Sequence, residues 1–437
     1  MLRELTLLQT SPQPSGQARG RKFSTSKLAD SLIITNLDFH NKIHHINIMD
    51  ALPLPPLSAQ DSARLQEKLG HLDELHDYMT GYPCSQLFDY EMLYPMLQHM
   101  ANNVGDPWAN SNYGLNTLDF EREVLSQWAE WLKADSENFW GYVTSGGTEG
   151  NMHGLYVARE LHKDGIVYYS EDTHYSVTKI IHVLGMRSIM IRSQENGEMD
   201  YEDLRESIKI HRDVPPIIFA NIGTTMKQAI DSLPKIKSIL KDLAISEYYL
   251  HSDAAFPGSY LPFIENRPEF DFSHGIDSIS ISGHKFIGSP VPCGMVLAKR
   301  DNIQRIGRRI EYIGAMDTTI PGSRSAVTPM VLWVAMKRWG AEGFKELANH
   351  CLEKAQYLVD NLQAEGVPAW RNDHGITVVM PRPSDEMLRR WSMAPEHDIA
   401  HVITTGHVTP EILDRLSVEL LEDYRNHQRN FIAGDAA

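Results

Sequence analysis

Between Ile166 and Leu297 short β-rich runs alternate with helical stretches, and no other feature limits the fold of this chain so strongly. Ile166-Val167-Tyr168-Tyr169, Ser188-Ile189-Met190-Ile191, Pro216-Ile217-Ile218-Phe219-Ala220, Tyr248-Tyr249-Leu250-His251, Ile276 to Ile281 and Gly294-Met295-Val296-Leu297 each read as a buried strand. Helical segments at 201–211 and 233–244 separate some of them, which predicts β-α units and a mainly parallel sheet. In an open sheet of this kind ligands bind beyond the carboxyl ends of the strands, so the chemistry is expected there.

The flanks differ in texture. Leu65, Leu69, Leu72 and Leu75 recur at three- and four-residue steps and predict an amphipathic lead-in helix from about Ser58. A second helix is expected over 118–132, where Phe120, Val124, Leu125, Trp128 and Leu132 share a face. Beyond Gly340 a long helix (344–362), two strand-like runs (375–380, 401–405) and a last helix (410 to about 427) read as a smaller α+β domain. The expected organisation is a tail and linker over 1–57, a helical segment over 58–117, a ligand-binding large domain over 118–340 and a small domain over 341–437. Through Lys27 the leader carries Arg3, Arg19, Arg21, Lys22 and Lys27 against one acid, Glu4. It reads either as an organelle transit peptide or as a disordered tail, and Pro53-Leu54-Pro55-Pro56 as the linker that follows.

Composition removes several classes of function. The 437 residues hold 57 acidic and 41 basic side chains, a formal charge of −16, which opposes non-specific nucleic-acid binding. Three cysteines without C-x-x-C spacing suggest neither a disulfide framework nor a structural metal site, and fit a reducing, cytoplasmic setting. No apolar run approaches the ~18 residues of a membrane span.

Three motifs carry chemistry. Thr144-Ser145-Gly146-Gly147-Thr148-Glu149-Gly150-Asn151 opens a helix expected over 152–161. Its glycines, hydroxyls and helix N-terminus form an anion cradle, although a capped glycine turn would look the same. His251-Ser252-Asp253-Ala254-Ala255 places an acid at a strand end, followed by small residues that admit a flat ligand. Such a carboxylate would keep a buried pyridinium nitrogen protonated; a turn-capping aspartate is the bland alternative. Ser280-Ile281-Ser282-Gly283-His284-Lys285-Phe286-Ile287-Gly288 sets a lysine in a Gly/Ser turn just past a strand, where burial could free its amine to form a Schiff base. In that order the three satisfy the demands of pyridoxal 5′-phosphate.

These residues, with Gly81-Tyr82-Pro83, Asp172-Thr173-His174-Tyr175-Ser176, Ala220-Asn221-Ile222-Gly223-Thr224-Thr225 and Gly322-Ser323-Arg324, resemble the group II pyridoxal-phosphate-dependent amino-acid decarboxylases over roughly 78–425, most closely the histidine and serine decarboxylase branch. The resemblance implies an aspartate-aminotransferase-like (fold type I) large domain with a small C-terminal domain, and a homodimer with its site at the subunit interface. It implies that Lys285 carries the cofactor, Asp253 pairs with the pyridine nitrogen, His174 stacks on the ring and Thr224 lies near the cofactor oxygen. Ser145, Gly146, Gly147, Thr148, Ser282 and His284 would surround the phosphate. Tyr312, in Glu311-Tyr312-Ile313-Gly314, would be the loop tyrosine near the protonation step, or else a packed interface residue. Arg324 would help draw in the anionic groups.

The same resemblance implies that Ser323, Arg324, Ser325, Ala326 and Val327 reach the neighbouring subunit's cofactor. Related histidine and serine decarboxylases follow Gly-Ser-Arg with Asn-Gly-His, whereas this chain has Ser325-Ala326-Val327. That segment would favour an apolar substrate such as methionine, leucine or valine, and Phe256-Pro257 is also unusual. The general likeness favours L-histidine, giving histamine. An aminotransferase of the same fold remains a rival, with Arg371 as the candidate grip on an α-carboxylate, and so does a non-catalytic binding member.

Overall fold

The computed structural model describes residues 55–87, 89–109, 112–310 and 315–434, those at 308–310, 315–316 and 427–434 by their backbone. The leader and most of the expected linker lie outside these residues, as does Tyr312. The chain divides into two units, Met1–Gln66 and Glu67–Ala437. Ser58 begins a helix by accepting from the Asp61 N–H at 3.1 Å. That helix, Ala59–Leu75, buries none of its residues, and Leu65, Leu69 and Leu72 are all exposed.

The second unit is built on a seven-stranded sheet. Its strands are β1 (Phe139–Thr144), β2 (Ile166–Ser170), β3 (Arg187–Ile191), β4 (Pro216–Asn221), β5 (Tyr249–Asp253), β6 (Ser278–Ser282) and β7 (Gly294–Lys299). They lie in the order β1-β7-β6-β5-β4-β2-β3, with β7 antiparallel to both its neighbours and the rest parallel. The mainly parallel α/β sheet expected from the sequence is therefore present. β4, β5 and β6 are buried along their whole length, because helices cover both faces. Helix starts follow local chemistry: Asp200 accepts from the Glu202 and Asp203 N–H groups to begin Tyr201–Ile210, and Ser232 accepts from Lys235 to begin Leu233–Asp242.

Several elements differ from their expected bounds. β1 was not among the expected strands; Gly141 interrupts its apolar pattern, and a Cβ there would meet the Val296 carbonyl at 2.3 Å. The helix expected from Met152 begins at Gly147, so the cradle glycine is its first residue. After Leu75 the expected helical segment gives way to two 3-10 turns, His76–Tyr78 and Glu91–Gln98, and a short strand, Asn102–Val104, because prolines at 83, 95 and 107 interrupt helix formation. The helix expected at 344–362 spans Val327–Ala364 and breaks at Gly340, whose φ of 57° only glycine adopts easily.

Thr377–Pro381, Ile399–Ile403 and Ala394–Glu396 form an antiparallel sheet, the last strand being additional to the two expected. A separate apolar core containing Trp391, Val378, Val402, Leu413 and Leu416 lies under it. Among the described residues no helix is long and apolar enough to cross a membrane.

Candidate active site

Strand order brings the three motifs together. β5 ends on Asp253, the turn after β6 carries His284 and Lys285, and the turn after β1 carries the glycine cradle. The connection leaving β2 supplies His174, and the one leaving β4 supplies Gly223 and Thr224. All of these line one cavity of about 350 Å³, which also receives Gly81, Tyr82 and Pro83 from the N-terminal side and Ala394, His401 and Ile403 from the small sheet.

Asp253 is 7 % exposed. Its Oδ2 accepts from the Asn151 side-chain amide at 2.8 Å and its Oδ1 from the Ala255 N–H at 3.1 Å. Burial pushes its carboxyl up from the ordinary value, opposed by Lys285, these hydrogen bonds and His174. Burial pushes the Lys285 amine down, opposed chiefly by the neighbouring Asp253 carboxylate. A lysine so placed holds a larger neutral fraction than a solvated one, as a Schiff-base nucleophile requires. The Lys285 carbonyl accepts from Ser85 N–H at 3.0 Å, tying this turn to the residues that follow Gly81-Tyr82-Pro83.

His174 is also pushed down by burial, with Asp253 pulling the other way. Its Nδ1 accepts from the Ser176 N–H at 3.2 Å and lies 2.7 Å from the Ser176 hydroxyl. A backbone N–H can only donate, so the neutral ring carries its proton on Nε2.

The residues present fit pyridoxal 5′-phosphate. Gly146 and Gly147 present their backbone at the start of helix Gly147–Leu161, and a Cβ on Gly146 would stand 3.7 Å from Cε1 of His284, inside the cradle. A Cβ on Gly147 would meet the Ser282 hydroxyl at 2.8 Å. His284 is fixed through Nδ1, 2.8 Å from the Cys293 carbonyl. Thr148 borders the same space, and Thr224 faces it while its hydroxyl accepts from Ala229 N–H at 3.0 Å. Ser145 also lines the cavity, but both its N–H (2.9 Å) and its hydroxyl (2.6 Å) donate to the Glu149 carboxylate.

Other sequence candidates lie elsewhere. Ser323–Ser325 pairs antiparallel with Asn102–Val104, and neither Ser323, Arg324, Ser325, Ala326 nor Val327 lines this chain's own cavity. The expectation that Arg324 draws anions into the pocket is corrected. The guanidinium is buried, ion-paired with Glu121, and donates to the Gly105 carbonyl at 2.9 Å, so its charge is already neutralised. Glu121 is itself buried and accepts from Val143 N–H and from the Asn103 amide, each at 2.8 Å. Arg371 is likewise outside the cavity and donates to the carbonyls of Asn372, Asp373 and Gly375. The proposed grip of an aminotransferase is thus committed to a loop. Phe256 does line the cavity, and Pro257 packs on Gly223, where a Cβ would stand 2.4 Å from the proline ring.

Asn151 and His251 stand in the first two motifs with no role marked by the motif itself; Asn151 donates to Asp253, and His251 meets the Asn151 oxygen. His401, Ile403 and Ala394 went unremarked as site residues, since nothing in a strand-like run marks which strand ends at a distant cavity.

A family model described as the pyridoxal-dependent decarboxylase conserved domain matches residues 145–380. The chain is 46% identical over 374 residues to a histidine decarboxylase of Morganella morganii, a match covering 85% of this chain and 99% of that one. It is 45% identical to a histidine decarboxylase of Pseudomonas entomophila, covering 85% and 93%. Among solved structures, L-methionine decarboxylase from Streptomyces sp. 590 superimposes with a TM-score of 0.77 at 25% identity, covering 85% of this chain and 96% of that one. A glutamate decarboxylase from Lactobacillus brevis shares the fold, with a TM-score of 0.71 at 18% identity over 86% of this chain and 94% of that one.

Proposed function

The chain belongs to the pyridoxal-dependent decarboxylases and is a pyridoxal-phosphate-dependent amino-acid decarboxylase, and we propose that it converts L-histidine to histamine and carbon dioxide. The observation that carries the substrate is the 46% identity to a histidine decarboxylase matched over 99% of its length. Against the apolar-substrate reading drawn from Ser325-Ala326-Val327 and Phe256-Pro257, the methionine decarboxylase that superimposes on this chain is 25% identical to it.

When bound, pyridoxal 5′-phosphate supplies an electron sink for the bond that releases carbon dioxide. In this reading Lys285 holds the cofactor covalently through its burial-weakened amine. Asp253 would pair with the ring nitrogen, and the neutral His174 ring would cover the ring face. The backbone of Gly146 and Gly147, the hydroxyls of Thr148 and Ser282 and the His284 ring would hold the phosphate, while Thr224 would sit near the cofactor oxygen. Ser145 contributes through the cradle it braces with Glu149. Tyr82, Phe256 and Ile403 add apolar surface to the cavity wall, which would limit water around a bound substrate.

We further propose a cytoplasmic homodimer. Met92, Tyr94, Leu97, Met100 and Leu115 are between 50% and 86% exposed, an apolar patch of the kind a partner subunit covers. The patch flanks Asn102–Val104, the strand that pairs with Ser323–Ser325, so a second copy docked there supports the reach of the 323–327 segment toward its cofactor.

The test is a screen of the purified full chain with added pyridoxal 5′-phosphate against the twenty amino acids, reading carbon dioxide and amine. Histamine from L-histidine at the highest kcat/KM is expected. A better rate with methionine or leucine would overturn the substrate assignment.

A further inference from the structure

Asp253 does not stand alone at the floor of the cavity. A line of buried polar groups runs from it back through the sheet. The Asn151 amide lies 2.8 Å from Asp253 Oδ2, and the Asn151 oxygen lies 2.9 Å from His251 Nε2. His251 Nδ1 is 2.7 Å from the Ser278 hydroxyl, which in turn accepts from the Tyr249 hydroxyl at 2.9 Å. His251, Ser278 and Asn151 are each 2 % exposed or less.

With Asp253 ionised, the direction of every bond follows. A carboxylate only accepts, so Asn151 must turn its NH2 toward Asp253, which leaves its oxygen facing His251. That oxygen only accepts, so His251 Nε2 must carry a proton. Burial pushes the His251 ring down to about 3, so it is neutral and its Nδ1 must accept. The Ser278 hydroxyl therefore donates to Nδ1 and receives from Tyr249. All four bonds run one way and end on the carboxylate, an arrangement in which each bond polarises the next.

The backbone is shaped around this line. A Cβ on Gly154 would stand 2.3 Å from His251 Nδ1, and one on Gly150 would stand 2.3 Å from the Ser280 hydroxyl. The two glycines let helix Gly147–Leu161 lie close against β5 and β6, so that Asn151 reaches both Asp253 and His251.

We propose that Asn151, His251 and Ser278 are positioning residues that hold Asp253 ionised and aimed into the cavity, so that it can keep a pyridine nitrogen protonated. This rests on the reading of Asp253 as the partner of that nitrogen. His251 touches neither substrate nor cofactor and acts only through Asn151.

The experiment measures the dissociation constant of pyridoxal 5′-phosphate, and the pH midpoint of its visible absorption band, for the full chain and four variants. Asn151→Leu removes a hydrogen bond to a charged group and is expected to weaken cofactor binding about tenfold or more, and His251→Phe, which removes a neutral bond one step back, about five- to tenfold. Both should also raise the pH midpoint of the band, because a less positive ring withdraws less electron density from the lysine nitrogen. His251→Gln keeps a donor for the Asn151 oxygen and should stay within about threefold of the parent. A purely packing role would instead make Gln as damaging as Phe and leave the midpoint in place.

Asp253→Asn separates the two readings. If it loses the cofactor while His251→Phe and Asn151→Leu bind normally, the line is overturned and the role of Asp253 stands. If Asp253→Asn itself binds normally with an unmoved band, the role of Asp253 fails and the line falls with it. Should His251→Phe not fold, Asn151→Leu and the Gln variant still decide.

Discussion

Substituting His153 by Phe should make the enzyme less stable near neutral pH and more stable in acid. His153 lies on helix Gly147–Leu161, fully buried, its ring stacked on Trp140 at 5.1 Å and 21°. Nε2 stands 2.9 Å from the Thr318 carbonyl and so carries the proton, while Nδ1 has no partner among the described residues. A second proton would find no acceptor, and burial pushes the ring from the ordinary 6.5 to about 4. Between those values the unfolded chain binds a proton that the native chain refuses, so stability is present above 6.5 and falls as pH falls toward 4. At ~1.36 kcal/mol per unit, this residue alone withdraws about 2 kcal/mol by about pH 5. Phe keeps the stack, does not titrate, and gives up one hydrogen bond worth about 1 kcal/mol. The variant should therefore be about 1 kcal/mol less stable at about pH 7.5 and about 1 kcal/mol more stable at about pH 5. Urea unfolding of parent and variant at the two pH values, with saturating cofactor, checks this. A constant difference between them, or a larger loss for Phe in acid, would refute the buried-neutral assignment. His251 and His407, pushed to about 3 and about 4, should add acid sensitivity of the same sign.

Three further outcomes follow from the same geometry. Arg324→Met strands the buried Glu121 carboxylate and should cost roughly 3 kcal/mol in urea unfolding, with part recovered in the Glu121→Gln/Arg324→Met double variant; additive losses would show that the pair is not coupled. Gly223→Ala combines a φ of 107° with a Cβ 2.4 Å from the Pro257 ring, and should lower the thermal midpoint and weaken cofactor binding together; an unchanged midpoint would contradict the close packing. Arg371→Met should leave carbon dioxide and amine as the products, because that guanidinium serves loop carbonyls; a switch in products toward or away from a keto acid would return it to the site.

What the sequence discloses and what it withholds divide along chain distance. Lys285, Asp253 and the glycine cradle were legible because each chemical group sits inside a short motif at a strand end, and the alternation of strands and helices brings strand ends together. Arg324 misled because a motif shows a residue's type and not its partner: Glu121 lies 203 positions away, and only the fold reveals that it neutralises the charge. Tyr312 lies outside the described residues, so its expected role stands where the motif left it. The line behind Asp253 was hidden for the same reason as the Glu121 pair, since Asn151 and His251 are 100 positions apart. Yet it left a trace, because Gly150 and Gly154 stand one turn apart on a helix, where glycine is unfavourable by about 1 kcal/mol each relative to alanine. Two such residues on one face imply that something must approach that face closely. Here the Ser280 hydroxyl and the His251 ring occupy the space that side chains would otherwise fill. Read that way, the glycine pair next to Asn151 marks in sequence the place where a buried polar side chain has to fit against the helix.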